Sequence, residues 1–132
     1  NVHLLGHRDY ETLPDYMRGF DVAVLPCRIN TYTRSMFPLK FFEYLAAGKP
    51  VVSTPLEALE DYWQAFKAAD SVESFCGAIE EILAGDRLNA DFCLTLAGEH
   101  TWDNRLDSML NVLEEIWRSR TQDPSRSPRG EL

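Results

Sequence analysis

The sequence predicts a parallel α/β fold, and three observations carry that prediction. Asp21-Val22-Ala23-Val24-Leu25-Pro26 is a near-continuous apolar run, the pattern of a strand covered on both faces of a parallel sheet. Val51-Val52-Ser53-Thr54 is a second short run, β-branched and bounded by Pro50 and Pro55. Between them, Leu39 to Ala47 are good helix formers, with Pro38 placed for the first turn and Gly48 for the C-cap. Strand, helix, strand is a crossover unit, and further alternation on both sides points to a sheet sandwiched between helices.

The elements follow in order. Val2-His3-Leu4-Leu5 is a short apolar run ended by Gly6 and reads as a strand, with His7, Arg8 and Asp9 as the polar loop after it. Glu11 to Arg18 reads as a helix with Pro14 in its first turn and Leu13, Tyr16, Met17 and Phe20 on a core-facing stripe, closed by Gly19. From Cys27 to Met36 periodicity is lost and hydrogen-bonding side chains dominate, which predicts a long loop at the carboxyl end of the 21–26 strand. Open α/β sheets bind their ligands at that end.

Beyond Pro55, Leu56 to Tyr62 reads as a helical turn and Gln64 to Ala68 as a final strand. Asp70-Ser71 opens a helix that runs to about Ala84 through Val72, Phe75, Ile79, Ile82 and Leu83, and Gly85-Asp86 ends it. A helix over about 87–98 follows. Thr101 is placed as the N-cap of a last long helix, Trp102 to about Arg118, with Leu106, Met109, Leu110, Leu113, Ile116 and Trp117 on one face. From Arg120 on, no apolar side chain occurs before the terminal leucine, so the end of the chain, 119–132, is expected to be disordered.

With 132 residues the chain is long enough for one domain with a true core and too short for two. A net charge of -8 argues against nucleic acid or an anionic membrane as the main partner, although Arg28, Arg34 and Lys40 fall close together. No apolar run is long enough for a transmembrane segment. Cys27, Cys76 and Cys93 are odd in number and widely spaced, which fits neither a zinc site nor a disulfide framework. They read as buried reduced thiols of a cytoplasmic protein. Asn1 is no natural start, so the sequence reads as a piece of a longer chain.

The chemistry centres on Lys40 and Glu43. Three residues apart, they share one face of the central helix near its N-terminal end. A helix N-terminus offers free N–H groups and a positive partial charge to a phosphate. A carboxylate one turn on can accept hydrogen bonds from sugar hydroxyls. The bland alternative is a surface ion pair between the two.

The run P-L-K-F-F-E-Y-L-A-A-G-K-P-V-V closely resembles the donor-site helix and following strand of retaining nucleotide-sugar glycosyltransferases with the GT-B fold. N-V-H-L-L-G, the helix before F-D-V-A-V-L-P, and H-T-W before the final helix extend the resemblance, in the family's order, to about Arg118. The family usually carries two glutamates eight positions apart. Glu43 matches the second, and Ser35 stands at the position of the first.

The resemblance implies a Rossmann-like parallel sheet with flanking helices. Residues 1–118 would then be the later part of the C-terminal, donor-binding domain. The acceptor domain, and the donor domain's usual phosphate-binding Arg and Lys, would lie upstream. It implies a glycosyltransferase, with a nucleotide-sugar donor, an unidentified acceptor, no metal and no other cofactor. By analogy Glu43 accepts hydrogen bonds from the donor ribose, and Leu39 and Lys40 meet the diphosphate. Asn30, Arg34 and Ser35 form the wall beside the donor sugar, while Gly6, His7 and Arg8 touch the nucleobase. No Ser–His–Asp or Cys–His spacing supports hydrolytic chemistry. A phospho-receiver domain would need acidic residues clustered at strand ends, and Asp21 sits at the wrong end of its strand. A nucleotide-binding domain without transfer activity is the remaining alternative, since Ser35 replaces a carboxylate.

Overall fold

A computed structural model of the chain describes residues 2–86 and 88–121. These residues fall into two compact units that divide between Gly98 and Glu99.

The first unit holds a three-stranded parallel sheet of order β1-β2-β3, with β1 Ala23–Leu25, β2 Val51–Ser53 and β3 Lys67–Ala68. Val24 pairs with Val52 and Ser53 with Ala68, so the predicted 21–26 and 51–54 strands are parallel neighbours. The strands alternate with α1 Leu13–Arg18, α2 Thr31–Arg34, α3 Leu39–Ala46, α4 Val72–Leu83 and α5 Ala90–Glu99. Short 3-10 segments, Tyr10–Thr12 and Glu57–Ala65, precede α1 and β3. This is a Rossmann-like α/β arrangement.

Alternation along β2 divides the core into two layers. Val51 points into a cluster with Ala23, Leu25, Phe41, Leu45 and Leu59, to which α5 adds Cys93, Leu96 and Ala97. Val52 points the other way, onto Ala69, Ala78 and Ile82. The α3 face of the sheet is aromatic. The Phe41 ring packs edge-on to Phe42 at 5.1 Å and to Phe66 at 5.8 Å, and Phe42 is edge-on to Tyr62 at 5.4 Å. Such edge-to-face pairs set the positive rim of one ring against the negative face of the next.

The end of α3 follows from Gly48, which adopts φ 67°. Its N–H donates to the Leu45 carbonyl and the Lys49 N–H to the Tyr44 carbonyl, a Schellman closure that a residue with a Cβ disfavours. The Lys49 ammonium then donates to the carbonyl of Arg18 at 2.9 Å, placing a cation on the carboxyl end of α1. The opening of α4 is equally local. Ser71 and Ser74 exchange side-chain-to-backbone hydrogen bonds in a capping box.

Four expectations are corrected. Val2–Leu5 forms no strand: residues 2–9 have no regular structure, and Leu4 is 95% exposed. A four-residue apolar run becomes a strand only where a neighbour offers N–H and C=O groups, and β1 takes its ladder from β2. β1 is covered on one face only, with Val24 41% exposed. α1 buries no residue, leaving Tyr16 and Phe20 exposed and Leu13 and Met17 half-buried. The 27–36 segment is not loop throughout, because α2 forms within it.

α5 begins at Ala90, and Arg87 of the expected 87–98 helix lies outside the described residues. The second unit contains α6, Trp102–Thr121. Thr101 Oγ1 accepts the Asn104 N–H, as expected of an N-cap. The stripe of Leu106, Leu110, Leu113 and Trp117 is exposed. The expected disordered end lies, from residue 122 on, outside the described residues, and 119–121 continue α6. No described helix is long and apolar enough to cross a membrane.

Candidate functional site

The site is built on the N-terminal half of α3. Phe41, Phe42 and Leu45 face the core, which turns Lys40 and Glu43 to the opposite side. Lys40 is exposed and Glu43 half-buried. Neither makes an ion pair among the described residues, so the bland alternative of a Lys40–Glu43 salt bridge is not seen. Pro38 occupies the N-cap rather than the first turn. The Leu39 N–H turns back onto the Phe37 carbonyl at 3.1 Å and the Phe41 N–H onto the Pro38 carbonyl at 2.9 Å. The Lys40 N–H has no acceptor among the described residues, which makes it the open donor of this helix end.

Glu43 lines a cleft of about 430 Å³ whose far wall is α1, through Pro14, Met17 and Arg18, with Ala46 and Ala47 on its own side. The Lys49–Arg18 hydrogen bond ties these two walls together. A second cleft, of about 570 Å³, opens where β1 and β2 end and α4 begins, and Arg28, Thr54 and Ser71 are among its lining residues. Thus Cys27 and Arg28 line the α4-side cleft, while Glu43 faces α1.

The segment between β1 and α3 is held by a compact network. Asn30 caps α2 with its carboxamide oxygen on the Thr33 N–H at 3.0 Å, and the Asn30 N–H donates to Thr33 Oγ1 at 2.9 Å. Thr33 Oγ1 donates in turn to the Arg28 carbonyl at 2.9 Å. Thr54 Oγ1 accepts the Cys27 N–H, tying the exit of β1 to the end of β2. Asn30 therefore commits one lone pair of its oxygen to the cap and keeps the other, with its amide hydrogens, for a ligand. Arg34 and Ser35 close the turn, exposed, and neither side chain has a partner among the described residues.

Gly6 turns the N-terminal segment with φ 72°. Arg8 donates through Nε to the Tyr16 hydroxyl at 2.6 Å and through Nη1 to the His7 carbonyl. Its guanidinium also lies 5.5 Å from the Tyr16 ring centroid, so Arg8 is engaged with α1, while His7 is exposed. Two features escaped sequence reasoning: the Pro14–Met17–Arg18 wall and the role of Thr33. N-T-Y-T has the spacing of an N-cap and its third following residue, which was the available signal for α2.

Of the cysteines, only Cys93 is buried, and burial pushes its thiol pKa up. Cys27 is half-buried and Cys76 exposed, contrary to the expectation of three buried thiols, and all three are free. Among the described residues no three His, Cys, Asp or Glu side chains come together as a metal site would require.

The family pattern described as "Glycosyl transferases group 1" matches residues 1–85, more than half of the chain. The chain belongs to that glycosyltransferase family. Over 109 residues it is 33% identical to a protein of Bacillus subtilis (strain 168) described as "Putative teichuronic acid biosynthesis glycosyltransferase TuaH". The match takes in 78% of this chain and 28% of that relative's length. No solved structure gives a significant match.

Proposed function

We propose that the chain supplies the later part of the donor site of a retaining, GT-B-type glycosyltransferase, which moves a sugar from a nucleoside diphosphate to an acceptor. One observation carries the reading. α3 presents a half-buried carboxylate, Glu43, one turn beyond an open N–H and an unpaired ammonium, both from Lys40. Glu43 then accepts the donor ribose hydroxyls, and Lys40 meets the diphosphate with its N–H and ammonium. Leu39 borders the diphosphate through its helix position, since its own N–H is spent on Phe37. Asn30, Arg34 and Ser35 stand beside the sugar, and Gly6, His7 and Arg8 border the base. Residues 1–118 would belong to one donor-binding domain, with an acceptor domain upstream. The relative's printed name, which places it in teichuronic acid biosynthesis, supports a glycan acceptor. Three free thiols suit a reducing, cytoplasmic setting.

Titration calorimetry on the full-length protein tests this. Glu43→Ala weakens nucleotide-sugar binding by about 1.5–3 kcal/mol, the range for hydrogen bonds to a charged group. Unchanged affinity for every nucleotide that binds the parent would remove Glu43 from the site. Release or transfer of sugar from bound donor separates a transferase from a domain that only binds nucleotide.

A further inference from the structure

One residue joins both walls of the Glu43 cleft. Lys49 closes α3 through its main chain, with its N–H on the Tyr44 carbonyl. It reaches α1 through its half-buried side chain, with its ammonium 2.9 Å from the Arg18 carbonyl, the last of that helix. The Gly19 N–H goes to Tyr16 and the Phe20 N–H to Met17, so among the described residues only Lys49 Nζ donates to the Arg18 carbonyl. A cation there also meets the negative end of the helix. Packing holds α1 weakly: it buries no residue, and only its Leu13 and Met17 are half-buried.

The cleft itself is two helical faces set against each other. Pro14, Met17 and Arg18 line one side and Glu43, Ala46 and Ala47 the other, each set at positions i, i+3 and i+4. The two alanines are short, and about 430 Å³ is left between the walls. The Arg18 guanidinium is paired with Asp15, so Glu43 is the one charged group of this lining without an ion-pair partner among the described residues. A molecule held by Glu43 lies between the walls, and its affinity falls with the fraction of time that α1 stands in place. We infer that Lys49 is a positioning residue for the donor: by clamping the carboxyl end of α1 it sets the width of the cleft in which the nucleoside part is held. This rests on the donor-site reading above and adds to it the residue that fixes the wall opposite Glu43.

The test is titration calorimetry on the full-length protein, well below its unfolding midpoint, with UDP, GDP and TDP as probes. Lys49→Met keeps the length of the side chain and removes its donors. For a probe that binds the parent, its Kd rises by about threefold to tenfold, the lower end for a hydrogen bond to a charged group, because this bond is exposed to water. Lys49→Arg keeps a cationic donor and brings Kd back to within about twofold of the parent. Ala46→Leu keeps a good helix former, fills the cleft from the α3 side and weakens the same probe by about threefold or more. A clamp that served stability alone would lower the urea midpoint of Lys49→Met and leave Kd as in the parent. That result overturns the inference, and so does an unchanged Kd in Ala46→Leu. Glu43→Ala separates the two readings. If it weakens the probe and Lys49→Met does not, the donor site stands without the clamp. If Glu43→Ala changes nothing, or none of the three nucleotides binds the parent, the donor-site reading fails and the inference falls with it.

Discussion

Thr33→Val is the perturbation that best isolates how the segment between β1 and α3 is held. Thr33 is only 8% exposed, and valine nearly preserves its shape while deleting the hydroxyl. Two hydrogen bonds of 2.9 Å disappear: Asn30 N–H to Thr33 Oγ1, and Thr33 Oγ1 to the Arg28 carbonyl. A typical net contribution of about 0.5–1.5 kcal/mol each gives roughly 1–3 kcal/mol for the pair. Water reaches the exposed Asn30, which keeps the cost of its orphaned N–H toward the lower end. The Asn30 carboxamide still accepts the Thr33 N–H, so α2 loses part of its cap and not all of it. Urea unfolding of the full-length protein should show a loss of about 2 kcal/mol for Thr33→Val and under about 0.5 kcal/mol for Thr33→Ser, which restores both partners. Donor KM should rise in the valine variant and recover in the serine variant, because Arg34 and Ser35 hang from this turn. A valine variant as stable as the parent, with an unchanged KM, would show that the hydroxyl network positions nothing.

Other outcomes follow from single features. Phe41→Ala should cost about 3–5 kcal/mol, since Phe41 is fully buried at the centre of the aromatic layer over β2; an equilibrium unfolding curve within about 1 kcal/mol of the parent would contradict that packing. Gly48→Ala should cost about 1–2 kcal/mol from backbone strain alone, because a Cβ there meets nothing within 4 Å and φ is 67°. Thiol labelling followed by mass spectrometry should modify Cys76 first and Cys93 only on unfolding, since the Cys93 thiol is buried with its pKa raised; early labelling of Cys93 would mean that α5 is not packed as described.

Much of this protein is decided within a few residues of chain, and that part was readable from the sequence. Val51–Ser53 is apolar on both faces because it is the central strand, and it is buried throughout. Gly48 ends α3, Ser71 opens α4 and Thr101 opens α6, each through hydrogen bonds to atoms no more than five residues away. The face shared by Lys40 and Glu43 is a matter of helical period alone. Other outcomes depend on partners that periodicity does not name. Val2–Leu5 has the composition of a strand, but a strand exists only where a second backbone completes its ladder, and none does so here. Val24 belongs to a run that suits two covered faces, yet its exposure is set by what α4 reaches across the sheet. The wall opposite Glu43 comes from α1, nearly thirty residues earlier in the chain. The caps and turns were legible because their hydrogen bonds close locally, and the central strand because burial on both faces leaves a short continuous apolar run. Which apolar faces are covered, and which polar atoms remain free, was decided only by the tertiary structure, because both depend on contacts between segments far apart in the chain.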